Sequence, residues 1–410
     1  MLEDALRDAF ANQATSGPAD GGQSMADRAI ARAVAHRRRR HAGSVIAGVL
    51  ALVIAGIVSF TVVDGRGGPA GPSRPLAGGP VWPTILATSM SPWAVDPSQD
   101  PEPLEVVSNG EIYTEGSKTA HLALPAHTNG AAVRSAYHAD DGYLVVTAQP
   151  DDSNQQLLLL DKAGDSKVLL SAASTIAVSD DGAKVAWRYG NQMSVADRKP
   201  STSTLDAPLT VQAPDRGVPV AFIGPDVVLG RTAQSGTGMD AFDLWDPDQQ
   251  ATYTQSWDPG VVRIFGALAD GSALFAQVRD AHDATKVCMA RLVPDQPFKE
   301  TDRACVLPQP AAQGGGVAPD GRYLVYPAAD GTHVVIVDLE QVFNGTPVPR
   351  IVDLGVKFDP ATVRLVWLGP RTAVVDTGGS FVTIDPTQPT KVEPAQANNG
   401  GKVLVQPLNP

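Results

Sequence analysis

The sequence predicts an all-β domain of repeated four-stranded sheets, tethered by one N-terminal transmembrane helix. Three observations lead to this prediction: an uncharged twenty-residue run near the N-terminus, a turn motif that recurs every 40 to 50 residues, and an abundance of turn-forming residues. The 410 residues include 39 Gly and 34 Pro, whereas only 6% are aromatic. Such a composition favours many turns between short strands over long helices.

The uncharged run, Ser44–Val63, contains twelve Val, Ile, Leu or Phe residues. At about 1.5 Å per residue, a helix of this length spans the roughly 30 Å hydrocarbon core of a bilayer. Four consecutive basic residues stand just before it: Arg37, Arg38, Arg39 and Arg40. Because an excess of arginine marks the cytoplasmic side, the N-terminus is predicted inside and the C-terminal domain outside the cell membrane.

A leader of 43 residues precedes this run, far longer than the charged region of a cleaved signal peptide. We therefore interpret the run as a retained signal anchor. One of its faces carries small residues four apart, at Ala47, Ala51, Ala55 and Ser59. Such a face lets two helices approach closely, although in a chain this rich in alanine the spacing also arises by chance.

Four regions follow from this reading. Residues 1–43 form a cytoplasmic tail with short helices, 44–63 the transmembrane helix, 64–80 a Gly/Pro-rich linker, and 81–410 the extracytoplasmic domain. The tail carries a net charge of +2 and the whole chain −12, so the part after residue 63 carries −14. An acidic domain argues against binding nucleic acid, because phosphate contacts require clustered Lys and Arg.

The tail begins with an apolar stripe at helical spacing, formed by Leu2, Leu6 and Phe10. An amphipathic helix of about fourteen residues is marginal in water alone. Residues 1–15 are therefore either a docking peptide for a cytoplasmic partner or a solvated leader. The segment MLEDALRDAFA resembles the start of actinobacterial membrane proteins that accompany extracytoplasmic-function sigma factors, which implies a regulatory partner. The zinc-binding His-x3-Cys-x2-Cys pattern of many anti-sigma domains is absent from the sequence.

The domain contains a repeated motif in which an apolar strand, an Asp-Gly turn and a second apolar strand follow one another. Asp-Gly or related turns occur at Gly142, Gly182, Gly271 and Gly321, and two Gly-Pro turns stand at 225 and 370. Successive turns are 40, 43, 46, 50 and 49 residues apart. Glycine suits these turns because a tight hairpin requires positive φ.

This period is that of a four-stranded β-propeller blade. With a further turn at Asn109-Gly110, the sequence predicts a seven-bladed β-propeller, with six or eight blades as alternatives. The segments 402–406 and 81–87 are the candidates for closing the ring. The repeats resemble TolB-like and WD-type propeller blades, although the Gly-His start of WD repeats is absent. An array of β-sandwiches is the alternative architecture.

Both cysteines of the chain, Cys288 and Cys305, fall in the fifth repeat, on strands that flank the loop 294–300. Antiparallel pairing around this loop would place them opposite one another, and oxidation is expected outside the membrane. The pattern predicts a disulfide, with two buried thiols as the alternative.

The sequence contains none of the Gly-x-Ser-x-Gly, His-Glu-x-x-His or phosphate-binding loop motifs. We therefore predict no catalytic, metal or cofactor site. The leading hypothesis is a membrane-anchored module that binds a protein or an envelope ligand. Such a module would have a sensory role linked to envelope or sigma-factor signalling. An extracytoplasmic hydrolase or lactonase is the alternative, and structural assembly in the envelope is a third reading.

Overall fold

A computed structural model describes residues 103–408 apart from short gaps at 115–116, 122–130, 150–153, 236–237, 250–251, 269–270, 284–285, 306–313, 346–348, 361, 389–395 and 398–401. This part of the chain is almost entirely β-structure, with one short helix, α1 (Leu339–Phe343), and a 3-10 turn at Pro200–Thr202. Within these residues no helix has both the length and the apolar character needed to cross a bilayer. The predicted tail, transmembrane helix and linker lie outside the described residues.

The strands follow one another through short turns, as the repeated motif predicts. In chain order the first eleven are β1 (Glu105–Ser108), β2 (Glu111–Thr114), β3 (Ser117–His121), β4 (Ala132–Ala139), β5 (Gly142–Ala148), β6 (Gln155–Asp161), β7 (Ser166–Ala173), β8 (Thr175–Val178), β9 (Lys184–Tyr189), β10 (Gln192–Lys199) and β11 (Thr204–Leu205). The next nine are β12 (Leu209–Gln212), β13 (Gly217–Ile223), β14 (Asp226–Thr232), β15 (Met239–Trp245), β16 (Val261–Ala267), β17 (Leu274–Arg279), β18 (Val287–Val293), β19 (Lys299–Ala304) and β20 (Gly316–Val317). The last eight are β21 (Tyr323–Pro327), β22 (His333–Asp338), β23 (Arg350–Asp353), β24 (Arg364–Gly369), β25 (Thr372–Asp376), β26 (Ser380–Ile384), β27 (Gln396–Ala397) and β28 (Val403–Pro407).

Successive strands pair antiparallel into small sheets, numbered here I to VI. Sheet I is β4–β7, sheet II is β8–β12, sheet III is β13–β15, sheet IV is β16–β19, sheet V is β20–β23 and sheet VI is β24–β27. Most therefore have the four strands predicted for one repeat. In sheet II, β11 and β12 both pair with β10.

The two ends of the described chain meet in one sheet, which we name the closing sheet. Strand β28 runs antiparallel to β1, which continues into β2 and β3. The other edge of β28 pairs in parallel with β4, so closing sheet and sheet I form one eight-stranded sheet. The predicted closing segment 402–406 thus takes this role, with β1 as its antiparallel neighbour. The other predicted closing segment, 81–87, lies outside the described residues.

This arrangement also corrects the interpretation of the turn at Asn109-Gly110. It joins β1 to β2, and these are the second and third strands of the closing sheet counted from β28. The other repeated turns join first to second strands. The first strand of the closing sheet comes from the C-terminal end of the chain, and for this reason the first repeat is irregular in sequence.

Sheet III departs from the predicted four strands. Its fourth position holds a single bridge, between Phe242 and Asp258, instead of a strand. The buried carboxylate of Asp243 accepts hydrogen bonds from the hydroxyl of Tyr253 and from the backbone N–H of Ser256, at 2.6 Å. The bond from Ser256 satisfies a backbone N–H that a regular ladder would otherwise pair.

Apolar side chains fill the spaces between neighbouring sheets. Seven clusters of described residues join the closing sheet to I, I to II, II to III, III to IV, IV to V, V to VI, and VI back to the closing sheet. In the last of these, Val106 and Leu404 pack with Val366 and Val374. Each sheet therefore covers an apolar face of the next in a closed circuit, which is the organisation of a β-propeller.

The two ends of each sheet differ, and the candidate site lies at one of them. At the turn end, each first strand turns into the second, and neighbouring turns pack together: a Cβ added to Gly321 would lie 2.3 Å from Leu268 in the preceding turn. All four predicted turn glycines have positive φ. At the start end, where the first strands begin, side chains bridge one sheet to the next.

Candidate functional site

Three arginines from three different sheets lie at the start end, and we name them the rim arginines: Arg188, Arg263 and Arg364. Arg364 is the first residue of β24, and Arg263 lies near the beginning of β16. Arg188 lies near the end of β9, where it pairs with Thr175 at the beginning of β8. All three are therefore at the level where first strands begin, in sheets II, IV and VI.

Local backbone irregularity helps to set the direction of Arg263. The register of β16 against β17 shifts between Val261 and Arg263, and again between Ile264 and Gly266. A bulge bends the strand and changes which way the following side chains point. The guanidinium of Arg263 lies over the ring of Phe265, 5.5 Å from its centroid.

Each rim arginine reaches across a junction between sheets and donates to a main-chain carbonyl. Nη1 of Arg188 donates to Gly217 O of sheet III at 2.6 Å. Nη1 of Arg263 donates to Gly314 O, next to the first strand of sheet V, at 3.2 Å. Nη1 of Arg364 donates to the carbonyl of Arg134 in β4 at 3.0 Å, passing the closing sheet to reach sheet I. The three guanidinium groups are thereby bonded to carbonyls in or beside the first strands of three different sheets.

The rim arginines are partly buried, and their burial weakens their hold on the proton. Burial lowers the pKa of Arg263 to about 10. Burial also lowers the pKa of Arg188, which nearby Asp215 partly offsets. For Arg364, burial lowers the pKa, Asp376 opposes this change, and the positive charge of Arg134 adds to it. All three remain charged at neutral pH, because arginine loses its proton only far above that pH.

None of the rim arginines has an ion-pair partner among the described residues. Five other arginines in this part of the chain do lie within 4.0 Å of a carboxylate oxygen, namely Arg198, Arg216, Arg231, Arg303 and Arg322. In a chain of net charge −12, carboxylates are plentiful. Asp215 and Asp376 nevertheless act on Arg188 and Arg364 from beyond ion-pair distance, whereas burial alone acts on Arg263. Partly buried cations that are incompletely compensated cost free energy, and such groups are found where a protein binds an oppositely charged ligand.

The chemistry available at the rim is anion binding. A guanidinium carries five N–H donors in a planar fork that matches carboxylate and phosphate oxygens. The hydrogen bond to the neighbouring carbonyl fixes each fork, so less side-chain entropy is lost when an anion binds.

Sheet III lies between the sheets of two rim arginines and contributes two ion-paired arginines at the same end. Arg231 and Arg216 both contact Asp240, at 2.5 and 3.4 Å. Arg231 also lies over the ring of Trp257, 5.6 Å from its centroid.

A second polar cluster lies at the turn end, between the closing sheet and sheet I. The buried carboxylate of Glu105 accepts hydrogen bonds from Tyr143 at 2.9 Å and Thr114 at 3.0 Å, and Nδ1 of His138 lies 3.0 Å from its other oxygen. Burial alone would raise the pKa of Glu105, but the contacts with His138, Tyr143 and Thr114 together lower it below 4.5. His138 stacks on Tyr143, and its side chain is 41% exposed.

The two cysteines form a disulfide in this structure. Cys288 lies in β18 and Cys305 directly follows β19, where Met289 pairs with Ala304. With Asp280, their ligand atoms lie within 4.8 Å of one another. Because the two sulfurs are bonded to each other, neither offers the thiolate that a metal ion requires.

The residues named from the sequence meet different outcomes. Arg37–Arg40 lie outside the described residues. The histidines with described side chains, His138, His282 and His333, belong to sheets I, IV and V and are not brought together. The turn glycines lie at the turn end, away from the rim arginines.

Sequence reasoning missed the rim arginines, although two of them carry a signal. A Val-Arg pair stands near the beginning of three first strands, as Val133-Arg134, Val262-Arg263 and Val363-Arg364. Arg134 and Arg263 each precede the turn glycine of their repeat by eight residues. Arg188 lies on a second strand, outside this pattern.

No protein-family model matches the chain, and no curated protein sequence matches it. Solved structures similar to it include apo AztD from Citrobacter koseri, 12% identical, which covers 73% of this chain and 83% of its own with a TM-score of 0.49. The Dos1 propeller is 10% identical, covering 68% and 79% with a TM-score of 0.46. The periplasmic gluconolactonase PpgL of Pseudomonas aeruginosa is 13% identical, covering 73% and 98% with a TM-score of 0.45. Similarity at this level does not identify a function, and the fold assignment rests on the strand topology.

Proposed function

We propose that this chain is a membrane-anchored, extracytoplasmic propeller of seven blades that binds an anionic ligand at its start end. The blade count is supported by the six sheets and the closing sheet, joined by seven apolar clusters. The anchor is supported by the uncharged run 44–63 and the arginines before it.

One observation carries the binding function: three partly buried arginines of different sheets lie at one end of the ring, and none of them forms an ion pair with a carboxylate of the described residues. Asp215 and Asp376 lie near two of them and offset only part of the effect of burial. Their charges oppose folding unless something compensates for them, so a protein retains them where they serve binding. The acidic character of the rest of the chain makes this concentration of positive charge selective.

A binding test uses the full chain in detergent micelles with inorganic phosphate as the probe, at constant ionic strength against chloride. A ligand at 100 times its Kd stabilises the folded state by about 2.7 kcal/mol, which corresponds to several degrees in Tm. We expect phosphate to raise the Tm of the wild-type chain more than that of a variant with all three rim arginines changed to methionine. Equal shifts in both proteins would contradict binding at the rim.

Topology is tested separately in intact cells. Protease added outside should degrade the domain after residue 80 and leave an N-terminal tag intact. If the tag is cleaved while the domain survives, the proposed orientation is wrong.

We also propose a sensory role, in which residues 1–43 pass the state of the domain to a cytoplasmic regulator. Its support is the apolar stripe of the tail and its resemblance to proteins that accompany sigma factors. Crosslinking from residues 1–15 to one cytoplasmic protein, lost when Leu6 is changed to Glu, would support this role. An unchanged crosslinking pattern in that variant would contradict it.

A hydrolase or lactonase is the second candidate, favoured by the contact between Glu105 and His138. A carboxylate that holds Nδ1 of a partly exposed histidine is the arrangement that orients a general base. Hydrolysis of simple lactones followed in a pH-stat should then disappear in His138→Asn. Activity unaffected by this change would remove the cluster as its source.

A further inference from the structure

We propose that Asp280, Cys288 and Cys305 form a zinc-binding site that opens when their disulfide is reduced. The site belongs to sheet IV and uses none of the rim arginines, so it is a function separate from anion binding. Its chemistry requires a dithiol as the reductant and a zinc ion as the ligand. The inference follows from how the backbone places the three side chains and from which of their atoms face one another.

The hairpin of β17 and β18 holds Asp280 beside the two cysteines. Cys288 pairs with Val278 of β17, and Asp280 directly follows that strand. The backbone N–H of Asp280 donates to Lys286 O at 3.0 Å, which closes the loop between the two strands. Cys305 directly follows β19 and meets Cys288 from the other side. The three ligand atoms therefore lie within 4.8 Å of one another.

The carboxylate of Asp280 is already oriented as a metal ligand. Its Oδ1 accepts the backbone N–H of His282 at 2.7 Å, and its Oδ2 lies 3.8 Å from Sγ of Cys288. Because a disulfide sulfur carries no proton, this second contact is not a hydrogen bond in the oxidised protein. Zinc–sulfur bonds of about 2.3 Å and zinc–oxygen bonds of about 2.0–2.2 Å place two ligands of one tetrahedral ion about 3.5–4 Å apart. The oxygen and the sulfur thus have the separation that a shared zinc ion requires.

The ligand types select zinc. Thiolates bind zinc and Cu(I) well, and the hard oxygen of a carboxylate favours zinc of these two ions. Two thiolates and one carboxylate carry three negative charges, of which the ion compensates two. The pKa of Arg303 is raised by its hydrogen bonds to Glu300 and also by the charge of Asp280, so this guanidinium lies near the remaining negative charge. Three protein ligands leave the fourth position of the ion to water.

Reduction of the disulfide proceeds by thiol–disulfide exchange. Cys305 is exposed and Cys288 is buried, so a thiolate of the dithiol attacks Sγ of Cys305. A mixed disulfide forms and the sulfur of Cys288 leaves. The second thiol of the reductant then displaces Cys305 and closes the disulfide of the reductant, so that two electrons and two protons pass to the cysteines. Binding of Zn²⁺ to the two sulfurs releases both protons.

The test uses the full chain in detergent micelles, reduced with dithiothreitol and freed of it without air, with Co²⁺ as a spectroscopic substitute for Zn²⁺. We expect the reduced chain to bind Co²⁺ with a thiolate-to-cobalt charge-transfer absorption that Zn²⁺ abolishes, and the oxidised chain to show no such absorption. Asp280→Asn should weaken the affinity at least about tenfold, and Cys288→Ser should remove the absorption. Asp283→Asn is the matched control, because this carboxylate of the same loop lies 3.3 Å from Lys286 and should leave both unchanged.

Each result decides for or against the site. Equal binding of Co²⁺ by the oxidised and reduced chains would place the ion elsewhere and overturn the inference, as would a folded, reduced chain without the absorption. An Asp280→Asn variant that binds like the wild type would overturn the site of three ligands. If the reduced chain unfolds in urea controls, Zn²⁺ added during reduction should keep it folded, and failure to do so also overturns the inference. Phosphate binding to the rim is measured on the oxidised chain, so it stands or falls independently.

Discussion

Replacing Arg263 by methionine should leave the stability of the protein nearly unchanged while it weakens ligand binding. Most substitutions of partly buried residues that contact a neighbouring sheet cost stability. Arg263 differs because burial acts on its positive charge and no carboxylate of the described residues compensates for it, so its removal relieves a cost as well as losing contacts.

The magnitude follows from opposing contributions. The fall of the pKa from 12.5 to about 10 corresponds to roughly 3 kcal/mol of unfavourable burial of the charged form. Losing the hydrogen bond to Gly314 O costs about 1.5–3 kcal/mol, and losing the contact with the ring of Phe265 costs about 0.5–1 kcal/mol. These contributions nearly cancel, so we expect a change in unfolding free energy within about 1 kcal/mol of zero.

The linked effect on pH dependence has a definite sign. The folded state holds the Arg263 proton less tightly than the unfolded state, so the unfolded chain binds more protons between pH 10 and 12.5. This group therefore adds stability as the pH rises through that window, and it opposes folding at neutral pH.

Arg198 is the matched control because it is an arginine with the opposite surroundings. Its side chain is 3% exposed and pairs with Asp141 at 2.5 Å, and its Nε donates to Gly182 O at 2.6 Å. Arg198→Met leaves the largely buried carboxylate of Asp141 without its partner, which costs about 3–5 kcal/mol. The two arginine-to-methionine changes should therefore differ by at least about 2 kcal/mol.

The assay is urea unfolding of the full chain in detergent, followed by the fluorescence of the buried Trp245 and Trp367. Phosphate titration of the same samples gives the loss of binding. A loss of more than about 2 kcal/mol in Arg263→Met would refute the reasoning, because it would make this arginine a structural residue like Arg198.

Three further predictions concern the scaffold. Gly142→Ala should destabilise the protein by more than about 2 kcal/mol in urea unfolding, because the added Cβ would lie 2.1 Å from Leu160 O. Gly164→Ala is the control: this glycine also has positive φ but lies in open space, so the change should cost only about 1 kcal/mol, and equal losses in the two variants would contradict the steric argument. Glu105→Gln should be less stable than wild type at pH 7, because the ionised carboxylate of Glu105 stabilises the folded state. This difference in stability should shrink as the pH falls below 4.5 through the lowered pKa of Glu105, and a difference that stays constant between pH 3 and 7 would contradict the prediction. Changing Cys288 and Cys305 together to serine should lower the unfolding free energy by about 3 kcal/mol, as expected for a bridge that closes a loop of 17 residues, and a reducing agent should then have no further effect on that variant.

Much of the fold was predictable because it depends on local chemistry. The spacing of the turns predicts the repeats, since a hairpin turn needs Gly or a similar residue wherever the chain reverses. The observed strands follow this pattern: Gly142 begins β5, directly after the reversal that ends β4. The pairing of Cys288 with Cys305 was also predictable from the sequence, because two strands joined by a short loop run antiparallel.

The candidate site was not predictable in the same way. Neither the bond from Arg364 to the carbonyl of Arg134 nor the bond from Arg263 to the carbonyl of Gly314 follows from spacing along the chain, because the partners are 230 and 51 residues apart in sequence. Closure was predictable only in part, since segment 402–406 was anticipated while its partner β1 was not.

The sequence by itself determined the all-β character, the repeat length and the position of the turns, all of which follow from the conformational preferences of neighbouring residues. Tertiary structure alone decided which strands close the ring and which arginines are partly buried without forming an ion pair. Burial and electrostatic interaction depend on distances in space, and closing a ring brings together residues that the linear sequence keeps far apart.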